Sequence, residues 1–395
     1  MKINTGIALL ATTMTVLAVG ACALGSGNTT TASSGTQSAV QTLGSGSIAT
    51  VATETLFTER DLTQEADATG AVRDTLTDGA EILITGDETH ILSGTAKNVT
   101  VIVDAGSEDK VQLILDGVQI TNDDFPCIYV KNADKVFVTT TESENSLSVT
   151  GSFRADGDTN TDAVVFSRDD LVLNGTGTLK ITSTDNGIAS KDDIKITGGT
   201  LSIECTADAL EANNDILMSD GNVTVRTPKD GLHAEDDDDP SHGAIYIGGG
   251  TLTVEAGDDA VHATTDIRID GGSLQLTAAE GLEATQIFIN DGEIAINASD
   301  DAINAGWKSG YTTPLVEING GTVSIVMGEG DTDAIDSNGN LIISGGTLDI
   351  TARSPFDYDG AISHTGGTII VNGKETDTVT NQQMGGPGGR GGGRR

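Results

Sequence analysis

Aromatic residues make up only 3% of this 395-residue chain, with a single tryptophan, so its core must be built from Ile, Leu, Val and Ala. Prolines number six against 51 glycines, which excludes proline-rich linkers and suits many tight corners. Basic residues are scarce: 21 Lys and Arg stand against 59 Asp and Glu, a formal net charge of −38. A nucleic-acid partner is thereby excluded, because phosphates are bound by Lys and Arg, and direct binding of anionic lipid is disfavoured in the same way. Three cysteines, Cys22, Cys127 and Cys205, are too few and too scattered for a disulfide framework; the latter two read as small buried hydrophobes. Helical periodicity is missing from the repetitive part of the chain.

What is present is repetition. Asp208-Ala209-Leu210-Glu211-Ala212, Asp230-Gly231-Leu232-His233-Ala234 and Asp259-Ala260-Val261-His262-Ala263 follow one formula. Glu280-Gly281-Leu282-Glu283-Ala284, Asp301-Ala302-Ile303-Asn304-Ala305 and Asp333-Ala334-Ile335-Asp336-Ser337 continue it. Glycines at 177, 199, 221, 250, 272, 292, 321, 346 and 367 mark steps of 20 to 29 residues. Such a period signals stacked repeats that bury their apolar sides only against neighbours. Segments such as Asp193-Ile194-Lys195-Ile196 and Thr200-Leu201-Ser202-Ile203 alternate with period two, the mark of half-buried strands. The leucine-rich-repeat asparagine and the calcium-binding nonapeptide are both missing. Each unit of about 22 residues therefore predicts one coil of an all-β, single-stranded parallel β-helix. Length alone suggests two or three domains, but continuous repetition favours one elongated, monomeric domain over 56–375.

The termini read differently. Lys2, the apolar stretch Ile7 to Val19 and the small residues before Cys22 predict a signal peptide over 1–21. Val19-Gly20-Ala21-Cys22 resembles a bacterial lipobox, which predicts lipidation at Cys22 and anchoring outside the cytoplasm on the cell membrane. Residues 22–55, rich in Ser, Thr and Gly, read as a flexible tether, and 376–395 as a disordered Gly/Arg-rich tail.

Alternation places Leu210, Leu232, Val261, Leu282, Ile303 and Ile335 inward, so Glu211, His233, His262, Glu283, Asn304 and Asp336 form an outward row. Asp258 and Asp300 share the outward parity, whereas Asp208, Asp230, Asp259, Glu280, Asp301 and Asp333 share the core parity and must occupy a corner. A second corner row, Asp170, Asp193, Asp215, Asp266 and Asn340, reads as backbone-capping turn residues. Two carboxylates about 4.8 Å apart, the strand spacing, repel by about 0.9 kcal/mol in water and about 3.5 kcal/mol at an effective dielectric of 20. A divalent cation would relieve a column of them, and Ca2+, which wants six to eight oxygens, would bridge coils. The expected ligands are Asp208, Glu211, Asp230, Asp258, Asp259, Glu280, Glu283, Asp300, Asp301, Asp333 and Asp336. Imidazoles also suit zinc or copper, but the surrounding carboxylates favour calcium, with His233 and His262 as ligand contacts or solvated side chains. Trp307 and Tyr311, in the insertion Gly306 to Pro314, read either as a stacking platform or as a cover for the solenoid flank.

Phe57-Thr58-Glu59-Arg60-Asp61-Leu62, Leu92-Ser93-Gly94-Thr95-Ala96 and Asp123-Asp124-Phe125-Pro126-Cys127-Ile128-Tyr129-Val130-Lys131 resemble bacterial cell-surface β-helix proteins usually described as carbohydrate-binding domain proteins. The resemblance covers Phe57 to about Gly373 and extends to the Gly/Arg-rich tail. It implies a right-handed parallel β-helix shaped like pectate lyases, holding calcium and binding plant-wall polysaccharide, whether polyuronate or cellulose. His233, His262, Asn304, Trp307 and Tyr311 then become candidate sugar contacts. The acidic insertion Glu235 to Asp239 departs from the family pattern. A lyase needs an Arg or Lys base over the calcium-bound uronate, and the outward row carries neither, so the expectation is binding without catalysis. A pectate-type lyase and a sugar-indifferent structural adhesin are the alternatives.

Overall fold

The computed structural model describes residues 52, 55–236, 239, 241–310, 312–329 and 332–382. Cys22, the 1–21 segment, Tyr311 and most of the expected tether and tail lie outside the described residues. The described chain contains no α-helix; its strands follow one another from Val72 to Glu375.

Three parallel ladders wrap the chain into a β-helix. One coil shows the arrangement: Asp259–Ala263 on one ladder, Asp266–Ile269 on the next, Ser273–Ala278 on the third. Each strand pairs with its counterpart one coil on, as Val261 with Leu282, Ile267 with Ile287 and Leu274 with Ile294. The face holding Ile267 is called here the first, that holding Leu274 the second, and that holding Val261 the third. The third ladder has 12 strands, and the first two are joined into a 24-stranded sheet. They are joined because Thr89–Lys97 and Lys110–Asn122 each turn the corner between the two faces as one long strand, with a register shift at Leu92/Gly94. This uninterrupted turn explains why the repeat is hard to see before Thr150.

The interior is what the alternation requires. Leu210, Leu232, Val261, Leu282, Ile303 and Ile335 stack in register and are buried, and the row ends on buried Phe356. Each such side chain contributes about 1.5–3 kcal/mol by leaving water, so a charge at Val261 would lose that term and be desolvated between Leu232 and Leu282. The corner glycines are obligatory: Gly250 has φ +79°, and a Cβ there would lie 2.5 Å from the Gly221 carbonyl oxygen. Cys127 and Cys205 are buried free thiols. At the far end Asn372 and Gly373, both at positive φ, fold Lys374–Glu375 back antiparallel on Thr368–Val371.

One feature has no counterpart in the repeat. The outward residues of the first face include Phe137, Val172, Lys195, Leu217 and Tyr246, all buried. The segment Leu56–Gln64 covers them. Leu56 and Phe57 pack with Leu217, Ala244 and Tyr246, the Lys195 ammonium donates to the Leu56 carbonyl at 3.0 Å, and the Arg60 guanidinium lies 4.2 Å over the Phe137 ring. Buried Asp61 meets Lys135 at 3.3 Å, and the Gly175 amide donates to Gln64 at 2.9 Å. The segment therefore straps several coils together from outside.

Candidate functional site

The outward row of the third face is continuous in register through Glu211, His233, His262, Glu283, Asn304, Asp336 and Asp357. Beside it run the motif acids. Asp259 and Glu280 begin strands, whereas Asp208, Asp230, Asp301 and Asp333 precede theirs by two residues. One carboxylate oxygen of each of Asp208, Asp230 and Asp301 accepts the backbone N–H of the next motif acid, at 3.0, 2.9 and 2.9 Å. For Asp208 and Asp230 that bond leaves the other oxygen facing the outward histidines. The second corner row behaves similarly, with Asp193, Asp215 and Asn340 accepting backbone N–H groups of the following coil.

Towards its middle the column mixes nitrogen and oxygen. His233 Nδ1 lies 3.0 Å from Asp208 Oδ2 and 3.6 Å from Asp230 Oδ2. His262 Nδ1 lies 3.7 Å from Asp230 Oδ2, 3.0 Å from Asp259 Oδ2 and 3.4 Å from Glu283 Oε2. The two imidazole centroids are 4.8 Å apart. Burial opposes charge on His233, but Asp208 overcomes it and raises the imidazole to about 9. Burial and the neighbouring His233 lower His262. Asp259 is raised to about 8 by burial and by Glu283. The two histidines thus turn Nδ1 to carboxylates, not to solvent.

Further along, Glu283 is claimed by Lys308 at 2.5 Å, and Asn304 donates to Glu280 at 2.9 Å and to Glu283 at 3.3 Å. Burial raises Glu280 to about 8. Beyond Asn304 lie Asp301, Asp333, Asp336 and Asp357, with the Asn338 amide donating to Asp336 at 3.4 Å and the Ser354 hydroxyl to Asp333. Burial, with Asp300, Asp333 and Asp357 nearby, raises Asp301 to about 6; burial, with Asp301, Asp357 and Asp333, raises Asp336 to about 7. Carboxylates crowded enough to retain protons near neutrality fit a hard divalent ion, which would discharge them without leaving oxygens unmet.

The family of carbohydrate-binding domain-containing proteins matches this chain over residues 78–331 and 284–384. The chain belongs to that family. A "Carbohydrate-binding domain-containing protein" of Acetivibrio thermocellus is 35% identical over 123 residues, 30% of this chain and 43% of the relative. This chain thus spans less than half of that relative's length. A solved "polysaccharide lyase-like protein from C. thermocellum", as a gadolinium derivative, is similar at 24% identity and a TM-score of 0.49, covering 65% of this chain and 97% of its own.

Within this family member the expected site residues divide. Asp208, Asp230, Asp259, Glu283, His233 and His262 come together, whereas Asp301, Asp333 and Asp336 influence one another's charge without forming a group of three mutually close oxygens among the described residues. Asp258 is exposed, 3.7 Å from Lys229, with an oxygen near those of Asp230 and Asp259. Asp300 is exposed beside Asp301. Glu211 instead pairs with Asn186 and with Lys191 at 3.5 Å. Trp307 is 63% exposed. Two contributors were not foreseen. Lys308 arrives from the Gly306 to Pro314 insertion, where no repeat position could announce it. Asp357 sits in Ser354-Pro355-Phe356-Asp357-Tyr358, a copy whose acid is Ser and whose core residue is Phe; only its spacing from Asp336 could have revealed it.

Proposed function

We propose that the third face is a polysaccharide-binding strip whose acidic end works with calcium, and that the protein binds its polymer without cleaving it. The observation that carries the reading is the unbroken outward register from Glu211 to Asp357, six strand spacings or about 29 Å of aligned polar groups. Such a strip suits an extended polymer better than a small ligand, and the family's description supports a carbohydrate as that polymer. Asp301, Asp333, Asp336 and Asp357 would hold the ion; Glu283 suits it less, because Lys308 already neutralises that carboxylate. Calcium chemistry also supports a polyuronate. A chain of −38 repels such a polymer, and salt screening only weakens that repulsion, so attraction needs an ion shared by protein and sugar carboxylates.

The reading of binding without cleavage rests on Lys308, the ammonium paired with Glu283. Burial opposes its charge, yet the Glu283 contact raises its pKa above the usual lysine value, which keeps it a proton donor rather than a base. Exposed Trp307 on the same insertion offers a stacking face for neutral glucan. Lipidation at Cys22 would hold the strip outside the cell membrane.

A pull-down on insoluble pectate and on cellulose, each with calcium and with chelator, tests the proposal. Retention on pectate should require calcium, whereas retention on cellulose should not. Pectate binding that survives chelator refutes the bridging ion. Retention on neither polymer leaves a structural adhesin.

A further inference from the structure

We propose that His233, His262 and Asp230 form a transition-metal site of the zinc class, separate from the carboxylate-rich stretch around Asp336. Both imidazole Nδ1 atoms face one oxygen, Asp230 Oδ2, at 3.6 and 3.7 Å. Those separations are too long for hydrogen bonds. They are close to the spacing of two ligands on one tetrahedral ion, about 3.3 Å for bonds of about 2.0–2.1 Å. Asp208 Oδ2, 3.0 Å from His233 Nδ1, and Asp259 Oδ2, 3.0 Å from His262 Nδ1, flank the trio, but of these five residues only Asp230, His233 and His262 bring their ligand atoms all within 4.8 Å of one another.

The supporting groups are also placed. Asp230 Oδ1 accepts the Asp259 N–H at 2.9 Å, and Asp208 Oδ1 accepts the Asp230 N–H at 3.0 Å, so the outward oxygen of each acid has a fixed direction. The remaining nitrogen of His233, Nε2, lies 3.1 Å from the Glu235 carboxylate. A carboxylate behind a ligating histidine fixes its tautomer and strengthens it as a donor. The three side chains are mostly shielded, with 21%, 16% and 12% of His233, His262 and Asp230 exposed, but not sealed from an entering ion.

The donor set decides the metal. Imidazole with carboxylate suits zinc, nickel or copper, whereas calcium requires six or more oxygens. Three protein ligands leave the fourth position of a tetrahedral ion to water. Because the ligands come from successive coils, the ion would rivet the solenoid at this height. The inference does not depend on the polysaccharide reading.

The full chain, stripped with chelator and dialysed at constant pH, is titrated with Co2+ and then Zn2+. One equivalent of Co2+ should give the visible absorption of a four-coordinate ion. Zn2+ should displace it, and millimolar Ca2+ should not. His262→Asn should weaken Co2+ binding by roughly 100-fold or more, and Glu235→Gln by about tenfold. Asp349→Asn, on the second face, controls for general acidity and should change nothing. Asn304 already occupies the same outward row, so the strand accommodates the His262 substitution. The competition between Zn2+ and Ca2+ on the unaltered chain stands independently of any variant. A spectrum lacking four-coordinate bands, displacement of Co2+ by calcium, or wild-type affinity in His262→Asn overturns the proposal.

Discussion

Replacing Asp336 by Asn should stabilise the calcium-free protein at pH 8 and weaken its response to calcium. Burial and the charges of Asp301, Asp357 and Asp333 raise Asp336 from 3.8 to about 7. A raised carboxylate means that the folded chain holds a proton which the unfolded chain has released. Stability from this group is therefore greatest below the unfolded value, falls as pH rises from about 4 to about 7, and is flat above that. A shift of about three units corresponds to at most about 4 kcal/mol, and solvent screening of this half-buried group reduces that to about 2 kcal/mol. Asparagine keeps the shape and removes the charge. In chelator at pH 8 the variant should melt roughly 3 °C above the parent. At pH 4 the two should coincide. Added calcium should raise the parent's melting temperature, because an ion that binds only the folded state stabilises it by mass action. It should raise the variant's much less. Thermal melts by circular dichroism at both pH values, in chelator and in millimolar calcium, provide the measurement. A variant that melts below the parent in chelator at pH 8 would refute the crowded-carboxylate argument. A parent indifferent to calcium would remove Asp336 from the ion site.

Three further outcomes are expected. Incubation with polygalacturonate and calcium should release no ultraviolet-absorbing unsaturated uronate; an activity abolished by Lys308→Ala would promote the lyase alternative. Trp307→Ala should leave the melting temperature unchanged, since the ring is exposed, but should reduce cellulose retention; in the parent, soluble glucan should shift the fluorescence of this single tryptophan. Asp61→Ala should cost about 2–3 kcal/mol, because it strips one of two carboxylates from the buried Lys135 ammonium, Asp170 remaining at 3.3 Å, and a denaturant midpoint within error of the parent would contradict this.

The ladders and the outward row were legible because period-two alternation fixes which side chains point out, and the repeat fixes which of them stack. Glu211, His233, His262, Glu283, Asn304 and Asp336 could therefore be aligned from spacing alone. What the row does at each height was not legible. Asp230 divides its two oxygens between the Asp259 N–H and the imidazoles, and that division depends on three-dimensional direction. Likewise Lys195, which alternation turns outward, proves to be buried, because a segment about 139 positions earlier lies across it. Contacts between such distant residues leave no trace in local periodicity.

The antiparallel return of Lys374–Glu375 on Thr368–Val371 has a consequence for growth of the solenoid. Every earlier coil presents an edge that the next coil can extend in the same direction, so duplication of one repeat lengthens the stack without redesigning its ends. On the second face the last edge is occupied by a two-residue strand running the wrong way, so a second molecule cannot continue that ladder in parallel at Ile370 and Val371. Length can thus evolve in the interior, while the terminal turn at Asn372 and Gly373 blocks parallel extension of the second-face ladder.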